Sequence, residues 1–396
     1  MTARHQVAVI GSGPGGSAIA WSLASAGVRV LLLEAGPRYV PEKDFRLHRT
    51  DWEQTMFPDK LDTSRRQTHG PMQKLDPKWR SLASSNRING PMVASDKRRF
   101  VRYSHVMGVG GSTLHYAGES HRLNPDSMKM HSRFGVAADW PLTYQDLEPF
   151  YEVAERIVGI AGPDADPSRP RRSKHPLPAH PMSYATKVLG KGFEREGLSW
   201  IPNGIAALSR AYDGRPRCNY CGQCGRGCPR RDRGSADLTF VAKAVATGNC
   251  ELRSGAEVLM LEPGPADRVQ AAVYVDGEGA RQRVEADHFV VACGAVETPR
   301  LLLNSTGGSA PGGLGNESGH VGRHFLETVM WSSAALYPDR LDGHRGLPSD
   351  AICWDFNRPD SIPGVIGGVR LSPITLEADF GGPISYATRV VDGWGK

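Results

Sequence analysis

The sequence lacks the features that tie a protein to a membrane or to nucleic acid. No apolar run among its 396 residues approaches the roughly 18 apolar residues that a membrane-spanning helix requires. No cationic leader followed by an apolar stretch precedes the first predicted strand, so a cytoplasmic location is expected, with export alongside a signal-bearing partner subunit as the alternative. The net charge is only +6 and no basic stripe carries interleaved aromatic residues, so no nucleic-acid partner is expected.

Residues 7–34 predict a dinucleotide-binding unit. A buried strand over 7–10 leads into a turn whose glycines let the backbone approach a pyrophosphate, and the N-terminus of the next helix, over 17–26, faces that charge. A second buried strand over 28–33 ends in Glu34, whose carboxylate can accept hydrogen bonds from an adenosine ribose. The glycines of the turn are Gly11, Gly13 and Gly16. This order predicts an ADP-containing cofactor, with an ordinary βαβ turn as the alternative.

Beyond this unit the composition changes in blocks. Residues 45–100 are polar and weakly periodic, which predicts surface excursions. Residues 162–181 are rich in proline and arginine, and the simplest interpretation is a solvated loop or linker. Between 250 and 291, short alternating strands such as 257–261 and 270–275 predict a three-stranded excursion of the kind that is common in flavin domains.

Two further glycine-containing turns are candidates for contact with the same cofactor. Residues 108–116 carry three glycines in four positions, which lets the main chain lie flat against a planar ring, while Ser112 and Thr113 offer hydrogen-bond donors. Residues 289–303 predict a buried strand that runs into Gly294, followed by a helix with a proline near its start. The alternative for the first segment is a glycine-rich turn that binds no ligand.

Taken together, these three stretches resemble the glucose-methanol-choline oxidoreductase family of FAD enzymes. Residues 139–155 and 321–328 are similar to two further segments of that family, so the resemblance covers most of the chain from 7 to about 336. The segment 110–117 and the Asp-Trp-Pro at 139–141 most resemble the branch of gluconate, fructose and glucose dehydrogenase flavosubunits and pyranose 2-oxidases. The resemblance implies oxidation of a CH–OH group of a sugar, polyol or other alcohol by hydride transfer to the flavin.

The resemblance also implies which residues hold the FAD. The histidine that matches His115 is bonded covalently to the flavin in related members, but Tyr116 stands where tryptophan is usual. Covalent attachment through His115 and a histidine that only packs beside the ring therefore both stay open. The candidate cofactor-binding residues are Gly11, Ser12, Gly13, Gly16, Glu34, Ala35, Gly108, Gly110, Gly111, Ser112, Thr113, His115, Val258, Ala292, Gly294 and Thr298.

A compact cysteine motif is the second chemical signal. Four of the seven cysteines lie within residues 218–228, in the spacing C-x-x-C-x-x-C-x-x-x-C-P and among several arginines. This is the spacing of bacterial ferredoxins, and it predicts a 3Fe-4S or 4Fe-4S iron–sulfur cluster that relays flavin electrons, as in some members of the resembled branch. A zinc site and an inert loop are the alternatives. The candidate metal ligands are Cys218, Cys221, Cys224 and Cys228.

The predicted fold is α/β. A Rossmann-type FAD-binding domain over 1–327 opens with a βαβ unit and contains a parallel sheet with the three-stranded β excursion. The start of an antiparallel-sheet substrate domain follows over 328–396 and is expected to be C-terminally incomplete. The family carries its catalytic pair, a histidine with a second histidine or an asparagine, near the C-terminus, so the catalytic residues are expected beyond Lys396. Three other histidines are interpreted as surface or packing residues: His320, His324 and His344.

The sequence leaves functions of different classes open. The first is an FAD-dependent alcohol or sugar oxidoreductase that takes a small-molecule substrate and passes electrons through the cluster, to oxygen, or to an electron-accepting subunit or cytochrome. The second is a truncated, catalytically incompetent module for flavin binding or electron transfer. An NAD-dependent dehydrogenase is a weaker third interpretation, because it would not need the glycine-rich segment at 108–115.

Overall fold

The computed structural model describes residues 5–45, 85–94, 97–222, 224–308, 310–326, 328, 337–342 and 346–374. The chain divides into two units, and the backbone passes between them three times. Unit 1 comprises Met1–His115 with Ser235–Val329, and unit 2 comprises Tyr116–Gly234 with Met330–Lys396. Residues 116–234, which the sequence analysis assigned to the first domain, thus belong to unit 2. The division into an FAD-binding domain over 1–327 and a substrate domain over 328–396 stays a prediction.

The described residues form twelve β-strands and seven α-helices. The strands are β1 (His5–Ile10), β2 (Val30–Glu34), β3 (Ser85–Ala94), β4 (Lys97–Val106), β5 (Ala161–Gly162), β6 (Leu177–Pro178), β7 (Ile201–Pro202), β8 (Cys250–Ser254), β9 (Glu257–Pro263), β10 (Val269–Val275), β11 (Arg281–Val291) and β12 (Ala351–Ile352). The α-helices are α1 (Pro14–Ser25), α2 (Pro41–Asp44), α3 (Met130–Phe134), α4 (Tyr144–Val158), α5 (Tyr184–Arg195), α6 (Ala242–Ala246) and α7 (Gly294–Asn304). No helix in this part of the chain is long and apolar enough to cross a membrane.

The main sheet of unit 1 has six strands in the order β8-β2-β1-β11-β10-β9. The pairs β8–β2, β2–β1 and β1–β11 are parallel, whereas β11, β10 and β9 continue as an antiparallel meander. The βαβ start and the three-stranded excursion that the sequence predicts are both confirmed.

The parallel strands β1 and β2 are apolar over 7–10 and 30–33 because both faces of the sheet are covered there. Successive residues of β2 point to opposite faces. Leu32 packs in the cluster that contains Ala20 of α1, whereas Leu31 and Leu33 pack in the cluster that contains Leu301 of α7. The two helices therefore lie on opposite faces, and both begin at the edge where β1 and β11 end.

A β-hairpin that the sequence analysis did not predict is formed by β3 and β4. The two strands pair antiparallel, from Ser85 opposite Val106 to Ala94 opposite Lys97. The interior of β3 contains a glycine and a proline, residue types that argue against a strand. Part of the polar stretch expected to form surface excursions thus has regular structure, and its residues 46–84 lie outside the described ranges.

Unit 2 is built from helices and short strand pairs. α4 starts with a capping box, in which the side chains of Thr143 and Asp146 each bond the other residue's backbone N. β5 pairs parallel with β6, and β12 pairs antiparallel with β7. Of the antiparallel sheet predicted for the last segment, the described residues contain β12 and isolated antiparallel bridges such as that between Cys353 and Leu371.

The loop over 162–181 is only partly solvated, which corrects the interpretation from composition. Arg169 is 6% exposed, and its guanidinium carbon lies 4.0 Å from the centroid of the Trp354 ring. The side chain of Arg171 is 7% exposed and pairs with Glu155 of α4. These two arginines are buried because a ring and a carboxylate from elsewhere in unit 2 replace water around their charges.

Candidate functional site

The turn between β1 and α1 requires glycine at two positions. Gly11 has a φ of +96°, and a Cβ atom there would lie 2.6 Å from the carbonyl oxygen of Ala292. A Cβ atom at Gly16 would lie 1.9 Å from the carbonyl oxygen of Gly11. At Gly13, by contrast, a Cβ atom would meet no described atom within 4 Å. The turn is therefore tightly packed on one side and open on the other.

The N-terminus of α1 presents backbone donors to this open side. Gly13 caps the helix without a side-chain hydrogen bond, and the first turn of the helix contains no acidic residue. The first N–H groups of a helix have no partner within the helix, and the helix dipole favours an anion beside them. The residues at this point therefore fit the pyrophosphate of an ADP-containing cofactor.

Glu34 lies at the end of β2 and is 7% exposed. Its Oε2 accepts hydrogen bonds from the backbone N (3.0 Å) and the Oγ (2.7 Å) of Ser12, and its Oε1 accepts one from the backbone N of Gly36 (2.9 Å). A carboxylate offers about four acceptor positions, so the protein leaves about one of them free. One ribose hydroxyl can therefore still donate to Glu34.

The segment 108–115 contacts the same turn through its backbone. The backbone N of Gly110 donates to Oγ of Ser12 at 3.0 Å. A Cβ atom at Gly111 would lie 2.9 Å from Cα of Gly13. The lack of side chains on both sides lets these two distant parts of the sequence meet at backbone distance, as the glycine pattern predicts.

The turn between β11 and α7 is the third part of the site. The backbone N of Ala292 donates to the carbonyl oxygen of Ile10 at 2.8 Å, so β11 and β1 end side by side. The backbone N of Cys293 donates to Oγ1 of Thr298 at 3.0 Å. Gly294 has a φ of +85°, and a Cβ atom there would meet no described atom within 4 Å. The start of α7 therefore also faces open space.

The remaining candidate cofactor residues belong to unit 1 as well. Val258 of β9 is 8% exposed and packs in an apolar cluster beside the sheet. The ring of His115 lies edge-on to that of Phe45, with 5.9 Å between the ring centroids. The roles of these residues toward a cofactor, and those of Ala35 and Ser112, stay predictions.

Two further parts of unit 1 reach the site without having been predicted. A Cβ atom at Gly36 would lie 2.2 Å from the backbone N of Gly108. The backbone N of Ala236 donates to Oγ1 of Thr113 at 2.9 Å, and this hydroxyl donates to the carbonyl oxygen of Gly110 at 2.6 Å. A glycine two residues after the predicted ribose acid is a usable signal for the first contact. Ala236 lies in no motif, so only the fold reveals the second.

The predicted metal ligands all belong to unit 2. Burial raises the pKa of the Cys218 thiol to about 12, and burial likewise raises the pKa of the Cys228 thiol, which donates to Oδ1 of Asp232 at 3.2 Å. Cys221 is exposed. Nowhere in the described ranges are three or more His, Cys, Asp or Glu side chains grouped so as to hold a metal ion. The described positions of the four cysteines therefore do not form such a group, and the predicted cluster is not confirmed.

A separate ion-pair network joins α4 to the loop over 162–181 in unit 2. Glu155 accepts hydrogen bonds from Nε and Nη2 of Arg122 (2.8 and 2.9 Å) and from Nη1 and Nη2 of Arg171 (2.8 and 2.6 Å). Burial by itself would raise the pKa of the Glu155 carboxyl, but the hydrogen bonds and charges of the two guanidinium groups outweigh it and lower this pKa to about 2. The network therefore stays charged at neutral pH and ties the loop to the helix.

Comparison with known proteins gives a consistent set of matches. A family model described as GMC oxidoreductase matches residues 87–328, and one described as an NAD(P)-binding Rossmann-like domain matches residues 9–39. The chain is 32% identical over 329 residues to the fructose dehydrogenase large subunit of Gluconobacter japonicus, which covers 82% of this chain and 59% of that protein. It is 29% identical over 402 residues to the 2-methyl-1,2-propanediol dehydrogenase of Mycolicibacterium austroafricanum, which covers 98% of this chain and 67% of that protein.

Among solved structures, a formate oxidase matches with a TM-score of 0.50 and 18% identity, over 76% of this chain and 48% of that one. At this identity the likeness concerns the fold alone, and it agrees with the predicted α/β architecture with a Rossmann-like start. The chain spans 59% and 67% of the lengths of the two curated relatives.

Proposed function

This chain belongs to the GMC oxidoreductase family, and on that premise we propose that it is an FAD-dependent oxidoreductase that oxidises a CH–OH group of a sugar, polyol or other alcohol. One observation carries the cofactor part of this proposal: three separate glycine-containing turns of unit 1 meet beside the open N-terminus of α1. The substrate part is supported by the relatives, because fructose dehydrogenase and 2-methyl-1,2-propanediol dehydrogenase are named for a sugar and a diol.

In this proposal the residues of unit 1 bind and orient the cofactor. The N–H groups at the start of α1 bind the pyrophosphate, and Glu34 accepts a hydrogen bond from the ribose. The side-chain-free backbone at Gly110 and Gly111 lies against the isoalloxazine ring, and Thr113 fixes that backbone through its hydrogen bond to Gly110. FAD, when bound, supplies the acceptor for the hydride of the alcohol carbon.

The proposal assigns no catalytic base to a described residue. His320 and His324 are exposed, as the sequence analysis predicted, and His344 lies outside the described ranges. An electron-accepting subunit or cytochrome belongs to the proposal as a partner, because the fructose dehydrogenase relative is by name the large subunit of an assembly.

A flavin-binding module without catalysis is the second candidate function. Both candidates bind FAD, and they differ in whether an alcohol reduces it.

The iron–sulfur relay is left out of the proposed electron path. The cysteine spacing predicts it, but the described positions of the four cysteines do not fit a metal centre. Electrons in this proposal therefore leave the flavin for oxygen or for a partner, and metal analysis of the purified protein tests the prediction from spacing.

An anaerobic reduction experiment separates the two candidate functions. Purified protein should be yellow and contain about one FAD per chain, measured by the flavin absorbance of the denatured protein. Anaerobic addition of fructose, gluconate or a vicinal diol should bleach the flavin band if the chain is an oxidoreductase of this class. A bound flavin that dithionite bleaches and that none of a panel of sugars and alcohols bleaches would support the module, and a protein that binds NADH in preference to FAD would overturn both.

A further inference from the structure

Ser12 occupies a position that links two parts of the site. It lies in the turn between β1 and α1 and has no exposed surface. Its Oγ donates a hydrogen bond to Oε2 of Glu34 at 2.7 Å and accepts one from the backbone N of Gly110 at 3.0 Å. One hydroxyl therefore touches both the predicted ribose acid and the predicted flavin segment.

The hydroxyl of Ser12 has no donor left for a ligand. A serine hydroxyl has a single O–H, and here that O–H points to Glu34. The backbone N of the same residue also donates to Glu34, at 3.0 Å. Ser12 thus acts on the carboxylate twice, and its side chain faces the protein rather than an open space.

We propose that Ser12 is a positioning residue that couples the two ends of the cofactor site: it holds the Glu34 carboxylate for the adenosine ribose and holds the backbone at Gly110 for the flavin ring. This inference rests on the proposed FAD binding and deepens it. It gives Ser12 a role through its neighbours and not through direct contact with the pyrophosphate.

The energetics of the two hydrogen bonds explain why a single hydroxyl matters. The bond to Glu34 is charge-assisted and buried, so its loss leaves a carboxylate oxygen with one donor fewer. The bond from Gly110 satisfies a buried backbone N–H, which would otherwise lack a partner. Removing Oγ therefore loosens both segments at once, whereas removing a hydroxyl with one local contact should loosen neither.

Ser17 offers the matched control. It also has no exposed surface, and it lies in the first turns of α1, a few residues from Ser12. Its hydroxyl donates to the carbonyl oxygen of Pro14 at 3.2 Å, within the helix start. Ser12→Ala and Ser17→Ala thus remove the same atom from equally buried sites, but only the first cuts the link between Glu34 and Gly110.

Two readouts test the two ends of the coupling separately. ADP binding to protein freed of flavin, in a His115→Ala background that has no covalent bond to it, reports the adenosine end, and the visible absorption and fluorescence of bound FAD report the flavin end. For Ser12→Ala we expect ADP to bind about 10-fold more weakly than to the native protein, together with a shifted flavin spectrum. Ser17→Ala should leave both readouts close to native. In a Glu34→Ala background, Ser12→Ala should weaken ADP binding little further, because the two changes act on one contact.

The outcomes that would overturn the coupling are specific. Equal losses of ADP affinity in Ser12→Ala and Ser17→Ala would show that Ser12 acts only as a packing residue. Weaker ADP binding with an unchanged flavin spectrum would contradict the link to Gly110, and fully additive losses in the double variant would contradict the link to Glu34. Native protein that binds neither FAD nor ADP would overturn the proposed function itself, which is a different result from any of these.

Discussion

The carboxylate of Glu34 is the most specific acceptor in the site, because three protein donors fix its orientation and leave about one acceptor position free. Because the protein already holds this carboxylate in place, binding of the ligand does not have to restrict its motion. The ribose contact should therefore account for a measurable share of the affinity for FAD.

Glu34→Ala is expected to weaken FAD binding by roughly 1.5 to 3 kcal/mol, the usual value of a hydrogen bond to a charged group. Titration of flavin-free protein with FAD measures the change. Glu278→Ala is the control, because Glu278 is exposed and its side chain has no ion pair in the described part of the chain. Equal affinities for the native protein and Glu34→Ala would contradict the ribose assignment.

His115 is the candidate residue for covalent retention of the flavin. It directly follows the glycine-rich segment, and the resemblance implies covalent attachment there or a histidine that only packs beside the ring. We expect native protein to keep its yellow colour in the pellet after acid precipitation, and His115→Ala to lose that colour to the supernatant. His320→Ala, at an exposed histidine, should behave as the native protein does. Colour that leaves the native protein completely would rule out the covalent bond and leave FAD binding intact.

At the scale of the element, the turn between β1 and α1 depends on its lack of side chains. Gly16→Ala would place a methyl group 1.9 Å from the carbonyl oxygen of Gly11, so the turn must distort and FAD binding should fall by at least an order of magnitude. Gly15→Ala is the matched control, because a Cβ atom there would meet no described atom within 4 Å. FAD titration and circular dichroism of both variants test this; equal FAD affinity in the two would contradict the steric argument.

The link between α4 and the loop over 162–181 should make stability depend on acid. The pKa of Glu155 is lowered from 4.5 to about 2, so its stabilising contribution is fully present above about pH 4.5 and is lost as the pH falls toward 2. Glu155→Gln should reduce the fall of the melting temperature across this window. At neutral pH it should lower the free energy of unfolding by about 3 kcal/mol, because it leaves two arginines without a shared carboxylate.

Thermal unfolding of native protein and of Glu155→Gln between pH 2 and 7 measures this acid dependence of stability. Glu196→Gln, at an exposed glutamate, is the control. A native profile that is flat across the window, or a variant that keeps the full native slope, would contradict the assignment.

The elements that the sequence predicted correctly are those with local signals. The βαβ start has apolar strands, glycines and an acid within 28 residues, and the structure confirms it. The hairpin of β3 and β4 was missed because the glycine and proline in β3 lower its strand propensity, and cross-strand pairing along ten residues overcomes that. The burial of Arg169 was missed because its partner Trp354 is distant in sequence.

At the scale of the whole molecule, the predicted cofactor residues and the cysteine motif belong to different units. All sixteen candidate cofactor residues fall within unit 1, and all four cysteines of the motif fall within unit 2. The sequence could identify both motifs, but it could not show that they fall in different units, because residues 116–234 of unit 2 interrupt unit 1 along the chain.

Cys224→Ser is therefore expected to leave the FAD content unchanged. The experiment measures the flavin content per chain and, on the same samples, the contents of iron and acid-labile sulfide. It therefore tests both motifs at once. Iron and sulfide in comparable amounts in the native protein and their loss in Cys224→Ser would establish the cluster that the spacing predicts. Loss of FAD in Cys224→Ser, compared with Cys250→Ser as a control outside the motif, would contradict the independence of the two motifs.

The register of β1 also has a consequence during synthesis. β2, its partner on one side, emerges from the ribosome soon after it, with Val30 opposite Val7, whereas on the other side His5 pairs with Ala286, 281 residues later. At the usual pace of translation, roughly 13 to 50 s separate the two pairing events. Throughout that interval the nascent chain exposes an unpaired apolar strand edge, the kind of edge that recruits foreign strands. We therefore expect the chain to be most prone to misassociation during synthesis, before β11 is complete.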